Sequence, residues 1–180
     1  MVLEVMGRHA GWVALHTGVA AGADYILIPE VPMDLEAVTA HLKQVIARGK
    51  HWGLIVVSEG VQLTESDAES LEKDAFGHII LSAVGVGEFI AKEIKQRVGI
   101  DTRHVVLGHV VRGGAPTPFD RMLGSRVGMK AVEMVHAGQF DQMAALRGTE
   151  IVAVPLEAAV EQLKTVPIAL YEEVKTLFSR

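Results

Sequence analysis

The 180-residue sequence contains no cysteine and no asparagine. The first absence excludes a disulfide framework, a thiolate metal site and a thiol nucleophile, and the second excludes N-linked glycosylation. No apolar run reaches the length of a membrane span. The net charge of -5 argues against a general basic surface for nucleic acid. These absences favour a cytoplasmic protein with neither membrane nor nucleic-acid partners.

Hydrophobic residues make up 49% of the chain, which excludes a disordered protein. Short β-branched runs alternate with longer segments of helical period. Strands are predicted at 2–6, 25–28, 54–57, 104–107 and 151–154. Helices are predicted at 9–21, 35–47, 87–98, 119–136, 157–163 and 168–178, and a polar surface excursion at 61–75. Continuous apolar strands separated by helices predict an α/β fold, with a parallel sheet sandwiched between helices in three layers.

Polar residues cluster around the ends of the predicted strands. Open parallel sheets bind ligands just beyond the carboxyl ends of their strands. The residues concerned are Met6, Gly7 and Arg8 after the first strand, Glu59 after the third, and Arg103, His109 and Arg112 around the fourth. We expect the three arginines, the histidine and the glutamate to converge on one crevice.

This set of side chains suits a small phosphorylated polyol. Arginine presents a planar fork of donors that matches phosphate oxygens, and it stays charged at any working pH. Histidine donates to phosphate or hydroxyl groups, and glutamate accepts hydrogen bonds from sugar hydroxyls. Taken singly, an arginine is more often part of a surface ion pair and His109 a loop histidine, while Glu59 fits a helix terminus and Gly113-Gly114 a turn. The hypothesis therefore depends on their joint placement.

Four stretches resemble the 6-phosphofructokinase family. They are EVMGRHAGWVAL (4–15), GADYILIPE (22–30), VVSEG (56–60) and LGHVVRGGAPTPFDRMLGSRVG (107–128). The resemblance implies a set of contacts to fructose 6-phosphate from Met6, Gly7, Arg8, Glu59, Arg103, His109 and Arg112. Arg8 would also act catalytically beside the transferred phosphoryl group. Arg103 would reach the 6-phosphate of a neighbouring subunit, so the active site would be shared in a homodimer or homotetramer.

The family's donor-binding parts, a Gly-Gly-Asp loop and a Thr-Ile-Asp-Asn-Asp segment, do not occur in this sequence. The resemblance therefore implies the C-terminal, sugar-binding half of a two-lobed enzyme. Residues 1–110 would form the fructose 6-phosphate lobe, 111–160 would pack on the donor lobe, and 161–180 would be a C-terminal helical segment. Mg²⁺ with ATP or pyrophosphate would bind mainly through the other half, with no metal ligand in this chain.

The chain itself is expected to be a C-terminal piece, the product of a truncated gene, or one part of a split protein with a separate donor-half chain. We expect no measurable kinase turnover from it alone. Two alternatives stay open, a non-catalytic sugar-phosphate-binding or regulatory module and a fragment without a function of its own.

Weaker signals concern regulation and the donor. The resemblance places Gly22, Asp24, Arg48 and Lys50 where bacterial relatives bind an effector. The alternative is that residues 48–50 simply close a helix, where cations are favourable. The long interval between Glu59 and Arg103 is typical of the pyrophosphate-using or dual-donor branch. Gly85-Val86-Gly87 predicts a helix start more strongly than a dinucleotide loop.

Overall fold

A computed structural model describes residues 1–63 and 85–178. The chain divides into two compact units, one of residues Met1–Arg112 with Lys164–Arg180, the other of Gly113–Leu163. The assignment of residues 111–160 to contact with a donor lobe stays a prediction. Within the described ranges, no helix has both the length and the apolar character that crossing a membrane requires. Most of the segment predicted as a surface excursion lies outside the described residues.

The first unit is built on a parallel sheet with the strand order β2-β3-β1-β4. Its strands are β1 (Val2–Val5), β2 (Tyr25–Leu27), β3 (Ile55–Ser58) and β4 (His104–Val106). Between Met1 and Arg112 the described residues form the helices α1 (Trp12–Ala21), α2 (Leu35–Ala47) and α3 (Val86–Val98), and a 3-10 helix (Gly108–Arg112) follows β4. The predicted parallel sheet and the first four predicted strands are thus confirmed.

Two helices cover opposite faces of this sheet. A Cβ added to Gly18 of α1 would lie 2.4 Å from the Ile26 side chain, so α1 packs closely on the face that carries Ile26. Gly87 of α3 contacts the side chain of Glu4. Ile26 pairs in register with Val56, and Val56 pairs with Leu3, so these three side chains lie on one face of the sheet. Glu4 is the next residue along β1, and successive side chains of a strand point to opposite faces. Helices α1 and α3 therefore cover opposite faces, which gives the three-layer arrangement.

Glu4 is a buried carboxylate at the start of α3. Its Oε2 accepts a hydrogen bond from the Gly87 amide at 2.8 Å, and the helix N-terminus favours the negative charge. A Cβ on Gly87 would lie 2.9 Å from that oxygen. The Gly85-Val86-Gly87 sequence therefore starts a helix, as predicted, and lets the backbone approach Glu4.

Most helix boundaries agree with the sequence patterns, but one helix starts later than predicted and the last two, Leu156–Val160 and Ile168–Lys175, end about one turn earlier. Asp34 caps α2, since its Oδ1 accepts from the Ala37 amide at 2.9 Å. Helix α1 begins at Trp12 instead of the predicted position 9. Residues 6–11 form a loop, in which Gly7 has a φ of 150° and Gly11 is the N-cap of α1.

The second unit contains α4 (Pro118–His136), β5 (Gln142–Arg147), β6 (Glu150–Pro155) and α5 (Leu156–Val160). Thr117 and Asp120 form a reciprocal capping box at the start of α4. The strands β5 and β6 pair antiparallel around a two-residue turn in which Gly148 has a φ of 61°. The predicted strand at 151–154 therefore belongs to a hairpin and is not part of the parallel sheet. Its partner β5 was not predicted, because it contains no β-branched residue.

The C-terminal helix α6 (Ile168–Lys175) returns to the first unit. Tyr171 is buried, and its hydroxyl donates to the carbonyl of Ile26 in the edge strand β2 at 2.8 Å. The ring of Phe178 lies 5.2 Å from that of Tyr25. This segment therefore covers the β2 edge of the sheet.

Candidate functional site

The carboxyl ends of β1, β3 and β4 open into one cleft of about 1140 Å³ within the first unit. Its lining residues are Met6, Gly7, Arg8, Val13, Glu59, His109, Val111 and Arg112. All of the predicted sugar-phosphate contacts except Arg103 are therefore brought together. Parallel strands produce this result because their carboxyl ends share one edge.

The loop after β1 is fixed to the end of β3 through Gly7. The Gly7 carbonyl accepts hydrogen bonds from Ser58 Oγ at 2.5 Å and from the Gly60 amide at 3.2 Å. A Cβ at position 7 would lie 2.5 Å from Ser58 Oγ. Both the φ of 150° and this close approach require glycine. Arg8 follows directly and is exposed in the cleft.

Glu59 lies beside the same loop. Its amide donates to the Val5 carbonyl at 2.9 Å, which continues the pairing of β3 with β1. Its Oε1 is 3.4 Å from the Gly7 nitrogen, a long hydrogen bond. A Cβ at Gly60 would overlap the Arg8 carbonyl at 1.9 Å. The backbone at Gly60 and the backbone at Arg8 are therefore in van der Waals contact. Glu59 itself lines the cleft.

His109 and Arg112 come from the 3-10 helix after β4. The Leu107 amide donates to the Glu4 carbonyl at 3.0 Å, and the Val110 amide donates to the Leu107 carbonyl at 3.0 Å, so the turn is anchored to β1. Residues three apart lie on the same side of a 3-10 helix. His109 and Arg112 therefore share one side of this turn, and both are exposed.

Arg103 is placed elsewhere. It precedes β4, and its carbonyl accepts from the Val2 amide at 2.8 Å at the amino-terminal edge of the sheet. Its side chain is 83% exposed and lies 3.7 Å from Asp101. The prediction that three arginines converge on one crevice is therefore wrong within a single chain. Arg103 precedes a parallel strand, and such a residue lies at the edge of the sheet opposite the cleft. Its reach into a neighbouring subunit stays a prediction.

The candidate effector residues lie at the amino-terminal edge of β2 and at helix ends. Gly22 and Arg48 are the C-caps of α1 and α2. Asp24 is fully buried, forms an ion pair with Lys50 and accepts from the Leu54 amide at 2.8 Å. These contacts give the residues structural roles, and an effector role stays a prediction.

His41 of α2 lies close to the same cluster. Burial lowers the pKa of His41, and the neighbouring Asp24 partly opposes this effect. Its ring packs edge-on against Tyr25, with centroids 5.6 Å apart. The imidazole is therefore held in its neutral form more strongly than an exposed histidine.

The charges of the cleft suit an anion and do not suit Mg²⁺. Magnesium prefers carboxylate and other oxygen ligands, whereas the described cleft residues combine two arginines and a histidine with the carboxylate of Glu59. Across residues 1–63 and 85–178, no three metal-ligating side chains gather at one place. The fold and the cleft thus define an α/β protein with a charged cleft at its strand ends, and anion binding there stays a prediction.

The sequence profile described as PFK: Phosphofructokinase matches residues 1–135. The chain belongs to the phosphofructokinase family. It is 50% identical over 182 residues to a protein of Streptomyces coelicolor named pyrophosphate–fructose 6-phosphate 1-phosphotransferase, covering 99% of this chain and 52% of the relative. It is 45% identical over 175 residues to ATP-dependent 6-phosphofructokinase 3 of the same organism. This match covers 96% of this chain and 51% of that relative.

The fold of the chain is also similar to that of a solved phosphofructokinase structure. The pyrophosphate-dependent phosphofructokinase from Marinobacter aquaeolei superposes with a TM-score of 0.73 at 29% identity, over 93% of this chain and 42% of that protein. The chain spans about half the length of the curated relatives it matches. Relatives named for either phosphoryl donor match it to nearly the same extent, so the branch stays a prediction.

Proposed function

We propose that this chain forms the acceptor-sugar half of a 6-phosphofructokinase, which transfers a phosphoryl group to fructose 6-phosphate. The supporting observation is the strand-end cleft in which Arg8, Glu59, His109 and Arg112 lie together. In the reaction, the 1-hydroxyl oxygen of the sugar forms a bond to the transferred phosphorus, the bond to the donor's leaving oxygen breaks, and the product is fructose 1,6-bisphosphate. The base that takes the hydroxyl proton would lie outside this chain.

Each residue has a distinct proposed role. His109 and Arg112 bind the 6-phosphate through charge-assisted hydrogen bonds. Glu59 accepts from sugar hydroxyls, and Met6 and Gly7 shape the floor of the site. Arg8 stabilises negative charge on the phosphoryl group as it moves, which is the main protein contribution in such reactions.

The remaining parts of the assembly are also proposals. The donor, ATP or pyrophosphate with Mg²⁺, binds mainly to the other half of the enzyme. Arg103 completes the site of a neighbouring subunit in a cytoplasmic homo-oligomer, consistent with its exposed position far from the cleft of its own chain. The 180-residue chain alone binds the sugar phosphate without measurable turnover.

Calorimetric titration tests this proposal. The chain is titrated with fructose 6-phosphate and with fructose, beside Arg112→Ala and the control Lys95→Ala, which removes an exposed cation of α3. We expect binding that requires the phosphate and weakens by on the order of tenfold or more in Arg112→Ala alone, because a charged hydrogen bond is lost. A folded chain that binds neither sugar, or binds equally with and without Arg112, would contradict it. A robust coupled-assay rate from the chain alone would overturn the prediction of inactivity.

A further inference from the structure

Glu30 holds two distant parts of the first unit with one carboxylate. It follows β2 and is half-buried. Its Oε1 accepts from the Gly11 amide at 3.0 Å and from the Val166 amide at 2.8 Å, and its Oε2 lies 3.1 Å from the same Gly11 nitrogen. Gly11 ends the loop that starts at Met6, and Val166 belongs to the segment that leads into α6. The carboxylate therefore connects the loop to the C-terminal segment.

Close packing and a second hydrogen bond support the same connection. A Cβ at Gly11 would lie 2.9 Å from Glu30 Oε2 and 2.3 Å from the Ile28 Cβ. The Trp12 indole nitrogen donates to the Lys164 carbonyl at 2.8 Å. Val166 itself is 2% exposed, so this end of the segment is part of the core.

The loop that carries Arg8 is therefore fixed at both ends. Gly7 is held by Ser58 and Gly60 at the carboxyl end of β3, as described above. Gly11 is held by Glu30. Only three residues lie between these two anchors, so a shift at Gly11 is passed to the Arg8 backbone.

We propose that Glu30 is a positioning residue for the sugar-phosphate site: it fixes the 6–11 loop against residues 164–166 and thereby sets the place of Arg8. This inference rests on the proposed function for the role of Arg8. A purely structural role is the alternative, in which the carboxylate only satisfies two amides and its loss costs stability without changing the cleft.

Two variants and one control separate these roles. Glu30→Gln keeps the size of the side chain and one acceptor oxygen for the two amides, but it removes the charge and the second oxygen near Gly11, and Glu30→Ala removes the connection. Tyr171→Phe is the control, because it removes a buried hydrogen bond to Ile26 outside the loop. Each protein is measured for its melting temperature, its fructose 6-phosphate affinity and the exchange rates of the Gly7, Gly60 and Val166 amides.

We expect Glu30→Ala to weaken binding by about tenfold or more, because a displaced loop misplaces Arg8. Glu30→Gln should weaken binding less, since it keeps an acceptor oxygen. In Glu30→Ala, amide exchange should accelerate at Gly7 and Gly60 as well as at Val166, because those two amides are hydrogen-bonded at the first anchor of the loop. Tyr171→Phe should lower the melting temperature and leave the affinity and the exchange at Gly7 and Gly60 unchanged. Unchanged affinity in Glu30→Ala, or accelerated exchange confined to Val166, would overturn the positioning role. A parent chain without binding would instead contradict the proposed function, and the exchange at Gly7 and Gly60 would still decide whether Glu30 positions the loop.

Discussion

Ser58 Oγ donates a 2.5 Å hydrogen bond to the carbonyl oxygen of Gly7, joining the last residue of β3 to the loop that follows β1. This contact fixes the backbone immediately before Arg8. The carboxyl ends of two neighbouring strands therefore act as one rigid support for the cleft. The contact between Ser58 and the loop depends on glycine at position 7.

Gly7→Ala should destabilise the chain and abolish sugar-phosphate binding. The new Cβ would lie 2.5 Å from Ser58 Oγ and 2.9 Å from the Ala10 carbonyl, at a φ that side chains rarely adopt. Strain of this kind costs about 1–3 kcal/mol. Gly124→Ala is the matched control, because nothing lies within 4 Å of its added Cβ in α4, and it should stabilise by up to about 1 kcal/mol. Urea unfolding and calorimetry measure both effects, and an unaffected Gly7→Ala chain would contradict the description of the loop.

Lys50→Met should lower the free energy of unfolding by about 3 kcal/mol, because it removes the ion-pair partner of the fully buried Asp24 and leaves that carboxylate to its remaining contacts. Adding Asp24→Asn to this variant should restore part of the loss, since the amide carries no charge to compensate. Urea unfolding of the two single variants and the double variant gives the coupling energy. Additive losses would show that the ion pair contributes little.

Acidification should destabilise the protein partly through His41. Burial lowers its pKa below the ordinary value of about 6.5. Between the two pKa values the unfolded chain binds more protons than the folded chain, so the free energy of unfolding falls as the pH falls through this range. Asp24 opposes the shift, while Arg48 and Lys50 reinforce it.

The His41→Gln variant should show a shallower loss of stability than the parent as the pH falls through the ordinary histidine value of about 6.5 toward the lowered pKa of His41. Urea unfolding at several pH values measures the slope. An equal slope in both proteins would mean that His41 does not contribute.

The exposed apolar surface of α4 should promote self-association. Its apolar side chains with more than half of their area exposed are Phe119, Met122, Met129, Val132 and Val135. A surface of this kind marks an interaction site. The double variant Met129→Gln, Val132→Gln should elute later than the parent from a sizing column and bind less of an apolar dye.

Stability of that double variant should change by no more than about 0.5 kcal/mol, because both side chains face solvent. The control is Lys130→Gln, on the same helix, which should leave elution and dye binding unchanged. Equal elution of the double variant and the parent would argue against association through α4.

The sequence could predict much of the cleft because its parts are local. Each strand is a continuous apolar run, and the functional side chains directly follow the strands in the chain. The position of Arg103 could also have been anticipated, since a residue before a parallel strand lies at the opposite edge. The donor-lobe assignment of residues 111–160 and the roles of the site residues stay predictions.

Other features could not be predicted because they depend on contacts between distant residues. The strand β5 is specified by its pairing with β6 and by the turn at Gly148, not by its own composition. The role of Ser58 depends on the register between β1 and β3. Glu30 meets Val166 from 136 positions away, and no local pattern encodes that contact.

The hydrogen bond from Trp12 to Lys164 also gives the molecule an internal optical reporter. Trp12 is partly buried beside the 6–11 loop, whereas Trp52 is 62% exposed. In a Trp52→Phe chain, fluorescence would come from Trp12 alone. Release of residues 164–166 would expose this indole to water and shift its emission to longer wavelength. Movement of the C-terminal segment could then be followed in real time without an attached label.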